Sequence, residues 1–231
     1  MNAGPPASRA HAANLLLDVL AAACPAGEVC LIGSLAAPDE ADVFSDIDLR
    51  WTLPPGQAAG PLESLRSTLR QVGVVESLRV DPDDRPDFLL VFIRFEGWPL
   101  WWLVDLEIHS AGLASTDLPD PDPWSSEESA CMGVVVTLKT LARNRPEEAE
   151  TFFVRALQRV EARDVAGDWP LRIGSLLDDI ETRSPPTADL VSRTRHLLPT
   201  LGLSLSNDPA AVRGEDGGAG PPGPPLTKEK S

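Results

Sequence analysis

The segment that most constrains this chain is LIGSLAAPDEADVFSDIDLRW, Leu31 to Trp51. An apolar run stops at Gly33-Ser34, a stretch of loop composition follows, and a second apolar run opens on Asp46-Ile47-Asp48. Strand residues two apart share a face, so the pattern places Asp46 and Asp48 side by side, with Ile47, Leu49 and Trp51 on the other face. Two adjacent carboxylates repel unless a cation stands between them, and a hard divalent cation with oxygen ligands, Mg²⁺ above all, meets that need. The Gly-Ser turn offers backbone N–H groups and a hydroxyl suited to phosphate oxygens.

A second acidic group lies in PLWWLVDLEIHS, residues 99 to 110. Asp105, Glu107 and His109 alternate with Val104, Leu106 and Ile108, so the three polar residues share one face of a strand. A carboxylate within so apolar a strand is costly without a partner or a metal. Arg50 shares the face of the aspartate pair and is expected to pair with it or to reach phosphate. His109 reads as a strand-end surface residue.

The Gly33-Ser34 turn, the gap and the Asp46-x-Asp48 pair together resemble the nucleotidyltransferase superfamily, whose fold is of the DNA polymerase beta type. The resemblance covers the N-terminal half. It implies an α+β fold: a small mixed sheet with flanking helices over residues 9–115, followed by a helical half over 124–200. It implies a third carboxylate on a later strand, for which Asp105 is the match and Glu107 the alternative; Glu107 is otherwise a general base. It also implies two Mg²⁺ ions on Asp46, Asp48 and Asp105, with Gly33 and Ser34 holding the nucleotide. Lys139 is the only lysine outside the C-terminal tail. It either contacts the triphosphate, as a basic residue on the helix after the sheet does in related enzymes, or is a solvated lysine.

The rest of the chain fits that plan. Ser8 caps a helix from about Arg9 to Cys24, with Leu16, Val19 and Leu20 on its apolar face. Strands are expected at Glu28–Ile32, Asp46–Leu53, Val74–Val80, Asp87–Phe95 and Pro99–Ile108, the last two joined around Glu96-Gly97-Trp98. A helix opens at Pro61 and runs to about Gln71. DPDDRP, residues 81 to 86, is a solvated turn, since it lacks the Gly and closing Glu of a calcium loop. Ser125 and Glu128 form a capping box for a helix reaching about Asn144. Pro146 starts another, and two shorter helices follow at about 170–181 and 187–198. Arg155, Arg159 and Arg163 form a stripe that is either solvated or lines the cleft. Residues 1–8 and the Gly- and Pro-rich 204–231 are expected to be disordered. The side-by-side Trp101 and Trp102 point opposite ways if they lie on a strand, one of them toward the helical half.

Composition narrows the function classes. The formal net charge of −15 disfavours binding to nucleic acid and favours a cationic small molecule. The three cysteines, Cys24, Cys30 and Cys131, form neither a disulfide framework nor a zinc motif, and most of them read as small buried hydrophobes. Asp18 interrupts the apolar N-terminal segment, which therefore reads as a structural helix of a cytoplasmic protein and not a signal peptide. The arginine-rich, tyrosine-free composition suggests a GC-rich bacterial genome.

From the resemblance, the expected activity is transfer of a nucleoside monophosphate, AMP foremost, from an NTP such as ATP to a hydroxyl of a small molecule. The nearest likeness is to antibiotic nucleotidyltransferases acting on aminoglycosides or lincosamides, which would make this a resistance enzyme. The alternative is a nucleotidyltransferase-like antitoxin that binds or AMPylates a partner toxin.

Overall fold

The computed structural model describes residues 5–202 except 38, 40, 82–84, 115, 116 and 120. Residues 1–4, most of the DPDDRP turn and the 204–231 tail, all assigned above from composition, lie outside the described residues. The remainder is a mixed α/β chain. No helix in the described residues is long and apolar enough to cross a membrane.

Helix α1 (Arg9–Ala23) begins where the Ser8 side chain accepts from the His11 N–H, which satisfies one of the free donors of its first turn. Strand β1 (Glu28–Leu31) leads into a one-turn helix α2 (Gly33–Ala36), then β2 (Ile47–Thr52), α3 (Ala59–Leu69), β3 (Val75–Val80), β4 (Phe88–Phe95) and β5 (Val104–His109). The strands form one sheet in the order β1-β2-β5-β4-β3. Among the described residues only β2 and β5 run parallel; the other pairs are antiparallel. A parallel pair cannot be joined by a tight turn, and here α3 and the β3–β4 hairpin fill the connection.

The centre of the sheet is its most apolar part. Ile47, Leu49 and Trp51 on β2 face the same side as their register partners Val104, Leu106 and Ile108 on β5, and all six are fully buried. They pack with Leu16 and Leu20 of α1 and Leu62, Leu65 and Leu69 of α3 in one core. Burying each such side chain is worth about 1.5–3 kcal/mol. With that face of β2 and β5 covered, the intervening residues Asp48, Arg50, Asp105 and Glu107 fall on the opposite face.

The helical half has its own core. Helix α4 (Ser126–Ala142) carries the full capping box expected at Ser125 and Glu128. It packs against α5 (Pro146–Arg159), α6 (Trp169–Arg183) and α7 (Ala188–Arg195). Val134, Val135, Leu138, Phe153, Ile173, Leu177 and Val191 are fully buried there. The sheet and helices are tied by Arg94 of β4, which is paired with Glu128, and by Arg193 of α7, which reaches Glu76 of β3.

Several expectations are corrected. The second arm of the hairpin starts at Val104 and not at Pro99. Residues 96–103 are a connection held by bonds such as Trp98 N–H to Phe95 O and Trp102 N–H to Pro99 O, because Pro99 cannot donate to a ladder. Trp101 and Trp102 are therefore not on a strand, yet they do split: Trp102 packs on the sheet core and Trp101 on the helical core. Cys24 and Cys131 are buried, but Cys30 is exposed because β1 is an edge strand. The arginine stripe is broken: α5 ends at Arg159, whose guanidinium donates to Ser129 O, and Arg163 lies beyond the helix.

Candidate active site

Asp48 on β2 and Asp105 on β5 are direct register partners, one step in from the start of each strand. Both rise from the face opposite the apolar core. Asp46 lies just ahead of β2 and not within it. It nonetheless lies near Asp48 and Asp105, close enough for its charge to raise both their pKa values, and it lines the same cleft as Asp48. Its carboxylate is taken up by Lys139 of α4, whose Nζ donates to Asp46 Oδ1. The lysine side chain is 4 % exposed, against 30 % for Asp46.

The Gly33-Ser34 turn lies directly over the aspartate pair. Gly33 has φ +60°, a left-handed conformation that a side chain strains. A Cβ at that position would collide with the Asp48 carboxylate. Glycine is thus required twice, by its backbone angle and by the closeness of an acid. Ile32 N–H donates to Asp48 O, so β1 and β2 pin this turn from below.

The electrostatics follow from crowding acids under cover. Burial raises the Asp48 pKa to about 6, with repulsion from Asp46 and Glu107 adding to it and Lys139 opposing it. Burial also raises Asp105 well above its ordinary value, with Asp46 and Asp48 adding to the shift and Lys139 opposing it. Asp46 is also raised by burial, against the pull of Lys139, Arg143 and Arg9. Asp105 Oδ1 is buried and accepts no hydrogen bond from the described residues. An orphaned carboxylate oxygen of this kind calls for a cation or a proton. Asp48 and Asp105 therefore fit a hard divalent cation. Among the described residues, no three Asp, Glu, His or Cys side chains are gathered into a ready-made metal cluster.

Glu107 is placed differently from what the sequence implied. It accepts from Arg50 Nε at 2.9 Å and Arg50 Nη2 at 2.8 Å, and His109 Nε2 lies 3.3 Å from the same oxygen. Burial alone would raise its pKa, but these bonds leave it lowered. Arg50 thus pairs with an acid, but with Glu107 across the strand register and not with the aspartate pair.

An open cleft of about 510 Å³ lies over the site, lined by Ser34, Asp42, Ser45, Asp46, Asp48, Arg143 and Arg145. Arg143 and Arg145 were missed from sequence, as was Asp42. Arg143 caps the C-terminus of α4, one turn beyond Lys139, and that i+4 spacing was the available signal. Its guanidinium grips both Asp42 oxygens, at 2.7 and 2.9 Å, and lowers the Asp42 pKa. Arg9 of α1 donates to Ser45 O and Asp42 O, which fastens the loop ahead of Asp46. The expected site residues Gly33, Ser34, Asp46, Asp48, Asp105 and Lys139 are brought together; Glu107 stands two residue pairs further along the sheet, opposite Arg50.

No protein-family model matches this chain, and no similar sequence was found among curated proteins.

Proposed function

We propose that the chain is a Mg²⁺-dependent nucleotidyltransferase that moves a nucleoside monophosphate, AMP foremost, from an NTP to a hydroxyl of a small molecule. The observation that carries this reading is the meeting of Asp48 and Asp105 on parallel neighbouring strands beneath the left-handed Gly33 turn. The polymerase-beta-like arrangement of the sheet belongs to the same reading. It is supported by the mixed strand order, in which the two acid-bearing strands are central neighbours.

In this reading Asp48 and Asp105 hold the metal. When bound, Mg²⁺ supplies charge neutralisation at the triphosphate and a lowered pKa at the acceptor hydroxyl. The backbone N–H groups at the Gly33-Ser34 turn and the Ser34 hydroxyl orient phosphate oxygens. Arg143 and Arg145 draw the triphosphate into the cleft against the overall negative charge of the chain. Glu107 is a poor proton acceptor, because Arg50 and His109 occupy its oxygen and hold it ionised. Positioning and charge stabilisation carry the reaction, as in other phosphoryl transfers. The acceptor is a cationic small molecule of the aminoglycoside kind, an assignment supported by the net charge of −15.

Calorimetric titration with non-hydrolysable ATP and GTP analogues, with and without Mg²⁺, tests the reading on the wild type and Asp48→Asn. Metal-dependent binding in the wild type and its loss in the variant are expected. Transfer of labelled AMP to a panel of aminoglycosides then tests the acceptor. A folded wild type that binds neither nucleotide sinks the proposal and turns attention to a copurifying toxin partner.

A further inference from the structure

We propose that the site takes a single divalent cation, held by Asp48 and Asp105, and that the Lys139 ammonium stands on Asp46 as a built-in replacement for a second one. The inference rests on the nucleotidyltransferase reading and replaces the two ions expected from the sequence resemblance by one.

Charge is the first argument. Asp46, Asp48 and Asp105 carry three negative charges when ionised. Lys139 cancels one of them by its ion pair with Asp46. The two that remain match one divalent cation.

Placement is the second. Asp105 Oδ1 is buried without a partner, whereas Asp46 already has one, so the unmet demand lies on the Asp105 side. Asp46 also stands before β2, outside the strand register that joins Asp48 to Asp105. The third argument is rigidity. Lys139 is almost fully covered, and α4 is clamped by α5, α6 and α7. Displacing the ammonium to admit a second metal would leave a buried, unpaired positive charge beside that metal. Arg143 and Arg9 add further fixed positive charge near Asp46. A second cation is thus repelled where Lys139 stands and is not needed to balance the acids.

Anomalous diffraction from crystals grown with Mn²⁺ and a non-hydrolysable ATP analogue counts the ions directly. One peak per chain, beside Asp48 and Asp105, is expected, with Lys139 still on Asp46. Two peaks in the wild type, one of them at Asp46, overturn the inference while leaving the transferase reading intact. Absence of any Mn²⁺ peak overturns the inference and the metal-dependent reading together. Lys139→Met, which removes the charge and keeps much of the bulk, is expected to gain a second peak at Asp46; a folded variant with one peak overturns the role given to Lys139. Asp46→Asn is expected to keep its single ion, and loss of that ion also overturns the proposal. None of these readouts depends on turnover.

Discussion

Asp48 and Asp105 stand opposite each other across the parallel strand pair β2–β5, on the face away from the apolar core. Burial raises both pKa values, that of Asp48 to about 6. The ordinary value for Asp48 is 3.8, so between 3.8 and about 6 the native chain holds a proton that the unfolded chain has released. The contribution of Asp48 to stability therefore falls as pH rises through that window. Without metal, Asp48→Asn is expected to melt higher than the wild type at pH 7, and the difference should shrink toward zero near pH 4. Thermal melts of both proteins across that range check it. Added Mg²⁺ should raise the melting temperature of the wild type only.

The same substitution bears on activity. Asp48→Asn is expected to lower AMP transfer by about 10²–10³-fold, a loss typical of removing a group that stabilises transition-state charge. Full turnover by the variant would remove Asp48 from the mechanism.

Gly33 is the backbone counterpart of that acid. Gly33→Ala places a methyl group against the Asp48 carboxylate and fixes a side chain at φ +60°. The left-handed conformation alone costs about 1–2 kcal/mol. Denaturant titration should show a loss of at least that size, and nucleotide affinity should fall with it, since the turn must move to relieve the clash.

Arg143 tests the cleft. Its bond to Asp42 is partly exposed, with side chains 32 % and 39 % accessible, so Arg143→Ala should change stability by less than about 1 kcal/mol. If Arg143 meets the triphosphate, calorimetry should show roughly tenfold weaker binding of the ATP analogue, about 1.4 kcal/mol. An unchanged affinity would reduce Arg143 to a tether for the Asp42 loop.

Leu106 supports the acids from behind. It is fully buried opposite Leu49, and Leu106→Ala should destabilise the chain by about 2–5 kcal/mol. Urea unfolding checks the magnitude.

The sequence by itself determined the strand alternation that separates Ile47, Leu49 and Trp51 from Asp48, and Val104, Leu106 and Ile108 from Asp105. That pattern depends only on the two-residue period of a strand and on the cost of burying charge. It also determined the Ser8 cap and the Ser125–Glu128 capping box, which are local hydrogen bonds between near neighbours. Only the tertiary structure decided which strands lie side by side, and hence that Asp105 meets Asp48 while Glu107 goes to Arg50. Register between strands 57 residues apart in the chain is set by the packing of whole faces, and no local spacing encodes it. The partner of Asp46 was hidden for the same reason. A lone lysine in a helical pattern reads equally well as solvated. It becomes a buried counter-charge only because α4 is clamped within its own core, with Lys139 directed at the end of β2.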